Sequence, residues 1–408
     1  MKLTVVDGEP KGHYLGLHFR IILREAVRRG WQVHLVTTQR ALDHQVFAML
    51  NEEFAGKFST SLMTDIVNSE NFSNKKKIWQ HFQRWFAMRD GFRASLRDFQ
   101  PDIVYQVALE KSDLPMGVLG SPYDKAPFVG LLMNRYFHAP TMGLRVEKLS
   151  RRDRLMGWAY ERLLRIPTLQ RIVNIDPLLT EYPKKMGWRG ADKGIYIPDT
   201  GAYKPFEIRP GARAHFGVPE DKFVLLNYGA MTPRKGVAEM IAGLAHPDCP
   251  AHVVGLHAGR SDAGVKEMLA GETAQRLVAE GRLFVHDRFL SDEEECAAFV
   301  ACDVAWLGYI HFFGMSSVLI NAGTMGKPVL AQNQGLCDHF VLENNLGEVA
   351  NVFDPADVAQ ALARLSTRPK ETQAQGENNR RFSENHRSEL FGQRICDVLA
   401  TAGSADAS

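Results

Sequence analysis

Residues 224–236 read VLLNYGAMTPRKG, and this stretch carries the strongest indication of the fold. The apolar run at its start is short and stops at Gly229, as the strands of parallel sheets do. A glycine turn and the start of a helix then follow. The stretch therefore predicts the strand-to-helix half of a βαβ unit.

The helix start in this stretch is also a candidate anion site. Thr232 is a good capping residue, and Pro233 suits a first helical turn. We therefore expect the free N–H groups of that turn to lie beside Arg234 and Lys235, where backbone dipoles and two cations attract a diphosphate. An adjacent arginine and lysine also occur as a solvated surface pair, and this stretch alone leaves both interpretations open.

Strand and helix patterns alternate along the whole chain. Strands are predicted at residues 3–6, 33–37, 103–107, 128–133, 173–175 and from 194 onward, then at 224–227, 251–256, 283–286, 304–307 and 328–331. The two series predict an α/β fold of two doubly wound Rossmann-like domains that face each other across a cleft. The expected domains are 1–203 and 204–383. A helix at 384–400 is expected to return to the N-terminal domain, and a disordered tail is expected at 401–408.

The composition is that of an ordinary globular protein, but the charge is unevenly spread. The 408 residues are 45% hydrophobic and carry a formal net charge of +2. Residues 1–200 hold 30 lysines and arginines against 21 aspartates and glutamates, a balance of +9, and the remainder has −7. We therefore expect the N-terminal half to meet an anionic partner. The five cysteines lack metal-ligand spacing, and no apolar run suits a signal peptide or a membrane span. A cytoplasmic protein is predicted, at most peripheral at the inner face of a membrane.

Residues 309–335 read YIHFFGMSSVLINAGTMGKPVLAQNQG and form a second informative stretch. They predict a loop, a helix that begins near Ser316 and Ser317, a stop at Gly326 and a further strand. A second helix start with small hydroxyl residues therefore follows a strand of the same domain. Two such termini can hold a diphosphate between them.

The two stretches together resemble retaining glycosyltransferases of the GT-B fold, those of family 4 in particular. The resemblance is most specific at Arg234-Lys235 and at Gly326-Lys-Pro-Val329, and it extends from about Phe223 to Val352. The N-terminal half matches in general layout only. The resemblance implies an enzyme that transfers a sugar from a nucleotide-sugar donor to an acceptor hydroxyl with retention of configuration. It also implies that no metal ion is needed and that the nucleotide-sugar is a co-substrate, with no further cofactor.

The resemblance also assigns roles to individual residues. Arg234 and Lys235 would bind the donor diphosphate and stabilise the charge on the departing nucleoside diphosphate, which makes them catalytic candidates. The remaining donor contacts that the motifs imply are Gly12, Gly314, Ser316 and Ser317. Gly12 closes a glycine loop at residues 8–12 that is expected to abut the sugar phosphate, although a plain loop is the alternative there.

One departure from the family pattern concerns its Glu-x7-Glu motif, in which the first glutamate holds the donor sugar and the second the ribose. The corresponding positions here are Phe313 and Asn321. Asn321 can still hydrogen-bond a ribose hydroxyl, whereas Phe313 cannot replace a carboxylate. His311 is a candidate substitute, with a loop histidine held by structural contacts as the alternative. The substitutions leave the donor, and even activity, open.

Two further residues are assigned by their position after strands. His138 follows the predicted strand at 128–133, where related enzymes often place a histidine near the donor sugar, and it is the third catalytic candidate. Asn134 and Arg135 are rivals, and a surface loop without a role is the alternative. Arg288 follows the strand at 283–286 and is expected near the nucleotide. The chain contains no Asp-x-Asp, so no metal site is expected.

Cationic residues concentrate at 75–97 and at 145–154, in each case beside aromatic residues. The first concentration includes an apolar helical stripe that faces either the core or a lipid surface. No nucleic-acid-binding motif accompanies it, so a nucleic-acid partner is not expected. A glycan or lipid-linked acceptor at an anionic membrane surface explains the charge, which suggests cell-surface polysaccharide or lipopolysaccharide synthesis. The alternatives are a non-catalytic GT-B partner or glycan-binding protein, and a sugar-nucleotide epimerase.

Overall fold

The computed structural model describes residues 1–8, 12–66, 74–202 and 210–404, which form two compact units. The first unit comprises the described residues of Met1–Gly143, Lys148–Asp199 and Ser388–Ser408. The second comprises those of Leu144–Glu147 and Thr200–Arg387. The segment Leu144–Glu147 therefore belongs to the second unit, although the chain on both sides of it belongs to the first.

The first unit is built on a sheet of seven parallel strands. They are β1 (Lys2–Val6), β2 (Gln32–Thr37), β3 (Phe58–Leu62), β4 (Ile103–Gln106), β5 (Phe128–Leu132), β6 (Leu169–Asn174) and β7 (Gly194–Tyr196). Their order is β3-β2-β1-β4-β5-β6-β7, so the chain winds outward from β1 in both directions. The central strands β4 and β5 are buried along their whole length, as an all-parallel sheet with two covered faces requires.

Helices connect these strands and cover the sheet. They are α1 (Arg20–Arg28), α2 (Gln39–Leu42), α3 (Gln45–Glu53), α4 (Asn74–Ser95), α5 (Asp113–Leu119), α6 (Arg151–Leu164) and α7 (Pro177–Lys185). A π-helix, Gly12–Phe19, leads directly into α1, and short 3-10 turns lie at Leu109–Lys111, Ala139–Met142 and Ala191–Lys193. Sequence-encoded caps fix several helix starts, because Ser150 forms a capping box with Asp153 at α6 and Asp176 caps α7.

The second unit contains a parallel sheet of six strands. They are β8 (Phe223–Tyr228), β9 (Val253–Ala258), β10 (Leu283–His286), β11 (Val304–Leu307), β12 (Val329–Gln332) and β13 (Gly347–Ala350). Their order is β10-β9-β8-β11-β12-β13, which puts the change of winding direction between β8 and β11. Ligands in such sheets bind beyond the carboxyl ends of the strands at this change of direction.

The helices of the second unit also alternate with its strands. They are α8 (Ala212–His215), α9 (Val237–Ala245), α10 (Ala263–Ala270), α11 (Glu272–Ala279), α12 (Asp292–Ala301), α13 (Ser317–Thr324), α14 (Gly335–Asn344), α15 (Pro355–Thr367) and α16 (Pro369–Ser383). A 3-10 turn at Glu384–His386 then leads to the last helix, α17 (Ser388–Ser404). None of the helices within the described ranges is long and apolar enough to cross a membrane.

The last helix packs in the first unit, where it contacts residues near the beginning of the chain. Arg29, which directly follows α1, pairs with Asp397 at 2.7 Å, and Arg24 of α1 hydrogen-bonds Ser388. The ring of Phe391 packs edge-on against His18. The helix continues through Ser404, so the disordered tail predicted from residue 401 is wrong for 401–404, where backbone hydrogen bonding of the helix persists. Residues 405–408 of that predicted tail lie outside the described residues.

Every strand predicted from the sequence is present, with ends shifted by a few residues, and the α/β fold of two Rossmann-like units is confirmed. Two strands were missed, β3 and β13. Both are edge strands with little buried surface, and β3 carries a polar Ser-Thr-Ser core. An edge strand takes its conformation from one neighbour rather than from its own apolar pattern, so the sequence gives little sign of it.

Candidate functional site

Two loops of the second unit, which follow β8 and β11, lie together at the carboxyl ends of these strands. The backbone N–H of Ile310 donates to the carbonyl of Arg234 at 2.9 Å. The indole N–H of Trp306 donates to the carbonyl of Lys235, also at 2.9 Å. These bonds hold the cation pair predicted from the first stretch against the second stretch.

The cation pair lies on a 3-10 turn and not on the first turn of an α-helix. Pro233–Lys235 forms the turn, Gly236 adopts a left-handed backbone with φ +65°, and α9 begins only at Val237. Thr232 makes no capping hydrogen bond from its side chain. The expected helix start at Thr232 is therefore wrong. Its physical cause is Gly236, whose conformation interrupts the helix so that its backbone can pack tightly against Gly308.

Lys235 is drawn back toward the end of β8. Its Nζ donates to the carbonyl of Tyr228 at 3.1 Å and to the hydroxyl of Tyr309 at 3.3 Å. Among the described residues it forms no ion pair with a carboxylate. Burial, followed by the nearby Arg234 guanidinium, lowers the pKa of Lys235 to about 8. A phosphate oxygen would stabilise the charged ammonium better than these neutral oxygens do.

Arg234 points into solvent beside the second loop. Its guanidinium carbon lies 4.6 Å from the centre of the Phe312 ring, a cation–π distance that orients the side chain without neutralising it. No carboxylate of the described chain pairs with it. The two cations therefore offer uncompensated positive charge at one place.

Ser316 completes a hydrogen-bonded chain with Lys235. Its Oγ shares a 2.6 Å hydrogen bond with the Tyr309 hydroxyl and accepts the N–H of Val318 at 3.2 Å, which caps α13. Ser317 is the first residue of that helix, and the carbonyl of Gly314 accepts the Cys337 thiol. The structure thus brings Arg234, Lys235 and Ser316 together at a helix N-terminus, an arrangement able to bind a diphosphate.

Asn321 lies one turn farther along α13, in a buried polar cluster. Its Nδ2 donates to Glu295 Oε1 at 2.9 Å, and its Oδ1 accepts the N–H of Ala202 at 2.9 Å. Tyr228 also hydrogen-bonds Glu295 through its side chain. Burial, together with Asp292, raises the pKa of Glu295 to about 7, although the bonds from Tyr228 and Asn321 oppose the shift. Protein groups therefore already occupy both ends of the Asn321 amide.

The other donor-binding candidates have different surroundings. His311 has a left-handed backbone (φ +53°), and its Nδ1 lies 2.6 Å from Glu147 of the Leu144–Glu147 segment. Arg288 pairs bidentately with Glu294, at 2.7 Å through Nη1. Gly12 is in the first unit, where it begins the π-helix, and residues 9–11 of the predicted glycine loop lie outside the described residues.

His138 is wholly buried in the first unit, so its catalytic assignment needs correction. Its Nε2 lies 2.8 Å from Asp176 Oδ2, and the rings of Phe137 and Tyr182 pack around it. An imidazole without exposed surface cannot contact a donor sugar in this conformation. Its rival Arg135 is also held inward, by Asp113 at 2.6 Å. Their position after β5 was predicted correctly, but the sequence did not reveal their burial.

Three residues of the site were missed from the sequence: Tyr228, Glu295 and Tyr309. Glu295 belongs to the acidic run Asp292–Glu295, which has the pattern of a solvated helix N-terminus. Only the place of Glu295 as the fourth residue of α12, one turn after the capping residue Ser291, indicates that its side chain turns inward. Within the described ranges, no group of three or more histidine, cysteine, aspartate or glutamate side chains is arranged to bind a metal ion.

Residues 209–382 match the sequence model of the family described as Glycosyl transferases group 1. The chain is similar to a D-inositol 3-phosphate glycosyltransferase from a Nocardioides species, with 33% identity over 183 residues, or 41% of this chain and 39% of the relative. The same enzyme from Streptomyces coelicolor is 28% identical over 218 residues, or 50% of this chain and 46% of the relative. The chain thus spans less than half the length of these curated relatives.

Solved structures extend the similarity to nearly the whole chain. HepE from Anabaena, solved in complex with UDP-glucose, is 17% identical with a TM-score of 0.67, covering 98% of this chain and 100% of that one. Sucrose-phosphate synthase from Thermosynechococcus elongatus is 15% identical with a TM-score of 0.73, and the match covers 99% of this chain and 100% of that one. WaaG, a glycosyltransferase involved in lipopolysaccharide biosynthesis, is 17% identical with a TM-score of 0.63, and the match covers 97% of this chain and 99% of that one. At these low identities the solved structures show a shared fold, and the GT-B fold that the resemblance implies is confirmed.

Gly236→Ala should detach the cation pair from the second loop, because a Cβ at this position would lie 2.0 Å from the Gly308 carbonyl oxygen. The left-handed backbone alone costs about 1–3 kcal/mol for alanine. Gly217→Ala is the matched control, since Gly217 has φ +66° and open space around it. In thermal unfolding, Gly236→Ala should lose clearly more stability than Gly217→Ala. Equal losses would show that the contact with Gly308 does not constrain the loop.

Glu295→Gln should stabilise the protein strongly at pH 8 and only slightly at pH 5. The pKa of Glu295 is raised in the folded state, so its stabilising contribution is complete below the ordinary glutamate pKa and is lost as pH rises through about 7. Glutamine mimics the neutral acid at all pH values. The expected gain at pH 8 is about 1–3 kcal/mol, measured as the shift in unfolding temperature against wild type. Glu267→Gln, an exposed position on α10, is the control. A gain that is the same at both pH values would refute the assignment.

Proposed function

We propose that this protein is a glycosyltransferase that transfers a sugar from a nucleotide-sugar donor to a hydroxyl group of a glycan or lipid-linked acceptor. The observation that carries the proposal is the group of Arg234, Lys235 and Ser316 at the carboxyl ends of β8 and β11. The group lies within the residues matched by the glycosyltransferase family model. Its two cations have no carboxylate partner in the described chain, which leaves them available to a diphosphate.

The chemistry requires a leaving group that carries negative charge away from the sugar. When the bond between the sugar and the diphosphate breaks, the charge on the departing nucleoside diphosphate increases. Lys235 and Arg234 stabilise that charge, and the N–H groups at the start of α13 beside Ser316 add to it. These groups supply positive charge without a metal ion, so we infer a metal-independent reaction. Retention of configuration is inferred from the resemblance to the retaining family and is tested by the anomeric configuration of the product.

The acceptor proposal rests on the surface of the first unit. On α4, Trp79 is 60% exposed. Phe86 on the same helix is partly exposed, and the guanidinium carbon of Arg89 lies 5.0 Å from the centre of its ring. On α6, Trp158 is 44% exposed beside Arg162. Exposed aromatic rings with arginines suit the interface of an anionic membrane. We infer a lipid-linked acceptor at such a surface, in cell-surface polysaccharide or lipopolysaccharide synthesis.

The double variant Arg234→Ala, Lys235→Ala should lose sugar transfer almost completely. Removing one preorganised donor of positive charge typically lowers the rate by about 10²–10³-fold, so the pair should cost at least the lower figure. The assay measures nucleoside diphosphate release and product formation with UDP-, GDP- and ADP-sugars. Arg276→Ala, an exposed arginine on α11, should retain wild-type turnover. Unchanged turnover in the double variant would remove the cation pair from the active site.

Anionic vesicles should bind the protein more strongly than neutral ones. Co-sedimentation with phosphatidylcholine vesicles, with and without added phosphatidylglycerol, measures the difference. Trp79→Ser should reduce binding to the anionic vesicles several-fold, because it removes the most exposed tryptophan of the cationic helix. Phe289→Ser is the matched control, since Phe289 is 77% exposed but belongs to the second unit. Equal binding to both vesicle types would contradict the membrane-associated acceptor.

One observation favours a second candidate, a non-catalytic protein that binds nucleotide-sugars or glycans. Phe313 and Asn321 stand where the family usually has two glutamates, and Asn321 is engaged by Glu295 and Ala202. The same donor panel separates the two functions. Nucleotide binding without turnover of any donor would support the non-catalytic protein and reject the enzyme.

A further inference from the structure

Glu295 stands at the centre of a polar cluster for which no role has been assigned. Three elements contribute to it: Tyr228 comes from the end of β8, Glu295 from the first turn of α12, and Asn321 from the second turn of α13. All three meet at the edge of the sheet that also holds Lys235 and Ser316. In parallel α/β sheets this edge is where ligands bind.

The cluster carries a free-energy cost that a purely structural role does not require. Burial disfavours the Glu295 carboxylate at neutral pH, and an apolar residue at the same place would avoid that penalty. Titratable groups with such perturbed environments concentrate at functional sites. Glu295 is only partly buried, and Tyr228 and Asn321 use two of the roughly four acceptor positions of a carboxylate. The remaining positions can accept hydrogen bonds from a ligand.

The cluster is connected to the cation pair through two elements. The carbonyl of Tyr228 accepts from Lys235 Nζ at 3.1 Å, while its side chain bonds Glu295. Ser316, the cap of α13, and Asn321 on that helix lie five positions apart, a rise of about 7.5 Å. One nucleoside diphosphate can span such a distance between its terminal phosphate and its ribose. A phosphate beside Lys235 and Ser316 would therefore leave the ribose within reach of Asn321 and of Glu295, which lies 2.9 Å from the Asn321 amide.

We propose that Glu295 binds the ribose of the donor nucleotide, accepting hydrogen bonds from its vicinal hydroxyls, and that Tyr228 and Asn321 position the carboxylate. The inference rests on the proposed function, since it requires a nucleotide at the cation pair. Carboxylates recognise ribose hydroxyls in other nucleotide-binding α/β domains. Asn321, expected from its position to contact the ribose itself, instead acts through Glu295, because both ends of its amide are already bonded within the protein.

Calorimetric titration with UDP, 2′-deoxy-UDP and inorganic diphosphate tests this role. GDP and ADP, with their 2′-deoxy forms, replace the uridine pair if they bind more tightly. Wild type should prefer the ribonucleotide at least tenfold. Glu295→Gln keeps the size of the side chain and should weaken ribonucleotide binding about tenfold, abolish the preference over the deoxy form, and leave inorganic diphosphate binding unchanged. Tyr228→Phe should show a smaller loss in the same direction. Glu267→Gln should match wild type throughout.

The other outcomes reject the inference in distinguishable ways. If Glu295→Gln keeps the preference for the ribonucleotide, or weakens the binding of inorganic diphosphate to the same extent as that of the ribonucleotide, the cluster only supports the fold. Its role would then be to hold Asn321, which accepts the Ala202 N–H. If wild type does not discriminate between the two nucleotides, the ribose role also fails while the cation pair stands. If wild type binds no nucleoside diphosphate at all, the proposed function itself fails, and the role of Glu295 with it.

Discussion

The tight contact between the backbone of Gly236 and that of Gly308 is the constraint on which the candidate site depends. Gly236 has no room for a side chain, because a Cβ there would lie 2.0 Å from the Gly308 carbonyl oxygen, and a Cβ on Gly308 would lie 2.0 Å from the Trp306 ring. With the loops this close, the Trp306 indole N–H donates to the Lys235 carbonyl, and the Ile310 N–H donates to the Arg234 carbonyl. These bonds hold Arg234 and Lys235 through their backbone carbonyls, which leaves both side chains available to a ligand.

The same contact determines how the charges of the site are arranged. Lys235 is anchored by neutral oxygens, and Arg234 by the face of an aromatic ring. Neither contact neutralises the cation, whereas most arginines in the described chain pair with a carboxylate. Tyr228 connects Lys235 to Glu295, since its carbonyl accepts from Lys235 Nζ and its side chain hydrogen-bonds the Glu295 carboxyl. A positive subsite and a carboxylate are therefore connected on one edge of the sheet.

Much of the fold could be predicted from the sequence, because the central strands are apolar runs between glycine turns. The Arg234–Lys235 pair and the Ser316 helix start were also accessible, since both follow strands of one parallel sheet. The helix start at Thr232 was not, because it depends on the approach of Gly308, more than seventy residues away. His138 failed for a related reason: its partner Asp176 comes from another strand end, and their pairing buries a residue whose position suggested exposure.

The substitution of Phe313 shows why donor chemistry cannot be deduced from the second stretch alone. The backbone at Phe313 is fixed, since its carbonyl accepts the Leu336 N–H at 2.8 Å and its Cα lies against Gly335. Backbone atoms of Phe313 make both contacts, so neither contact requires a particular side chain at this position. The carboxylates that do border the stretch come from elsewhere in the chain: Glu147 reaches His311, and Glu295 reaches Asn321. Because the loop geometry and its acidic groups have separate origins, the motif indicates a candidate binding edge of the sheet but not the groups that would recognise a ligand there.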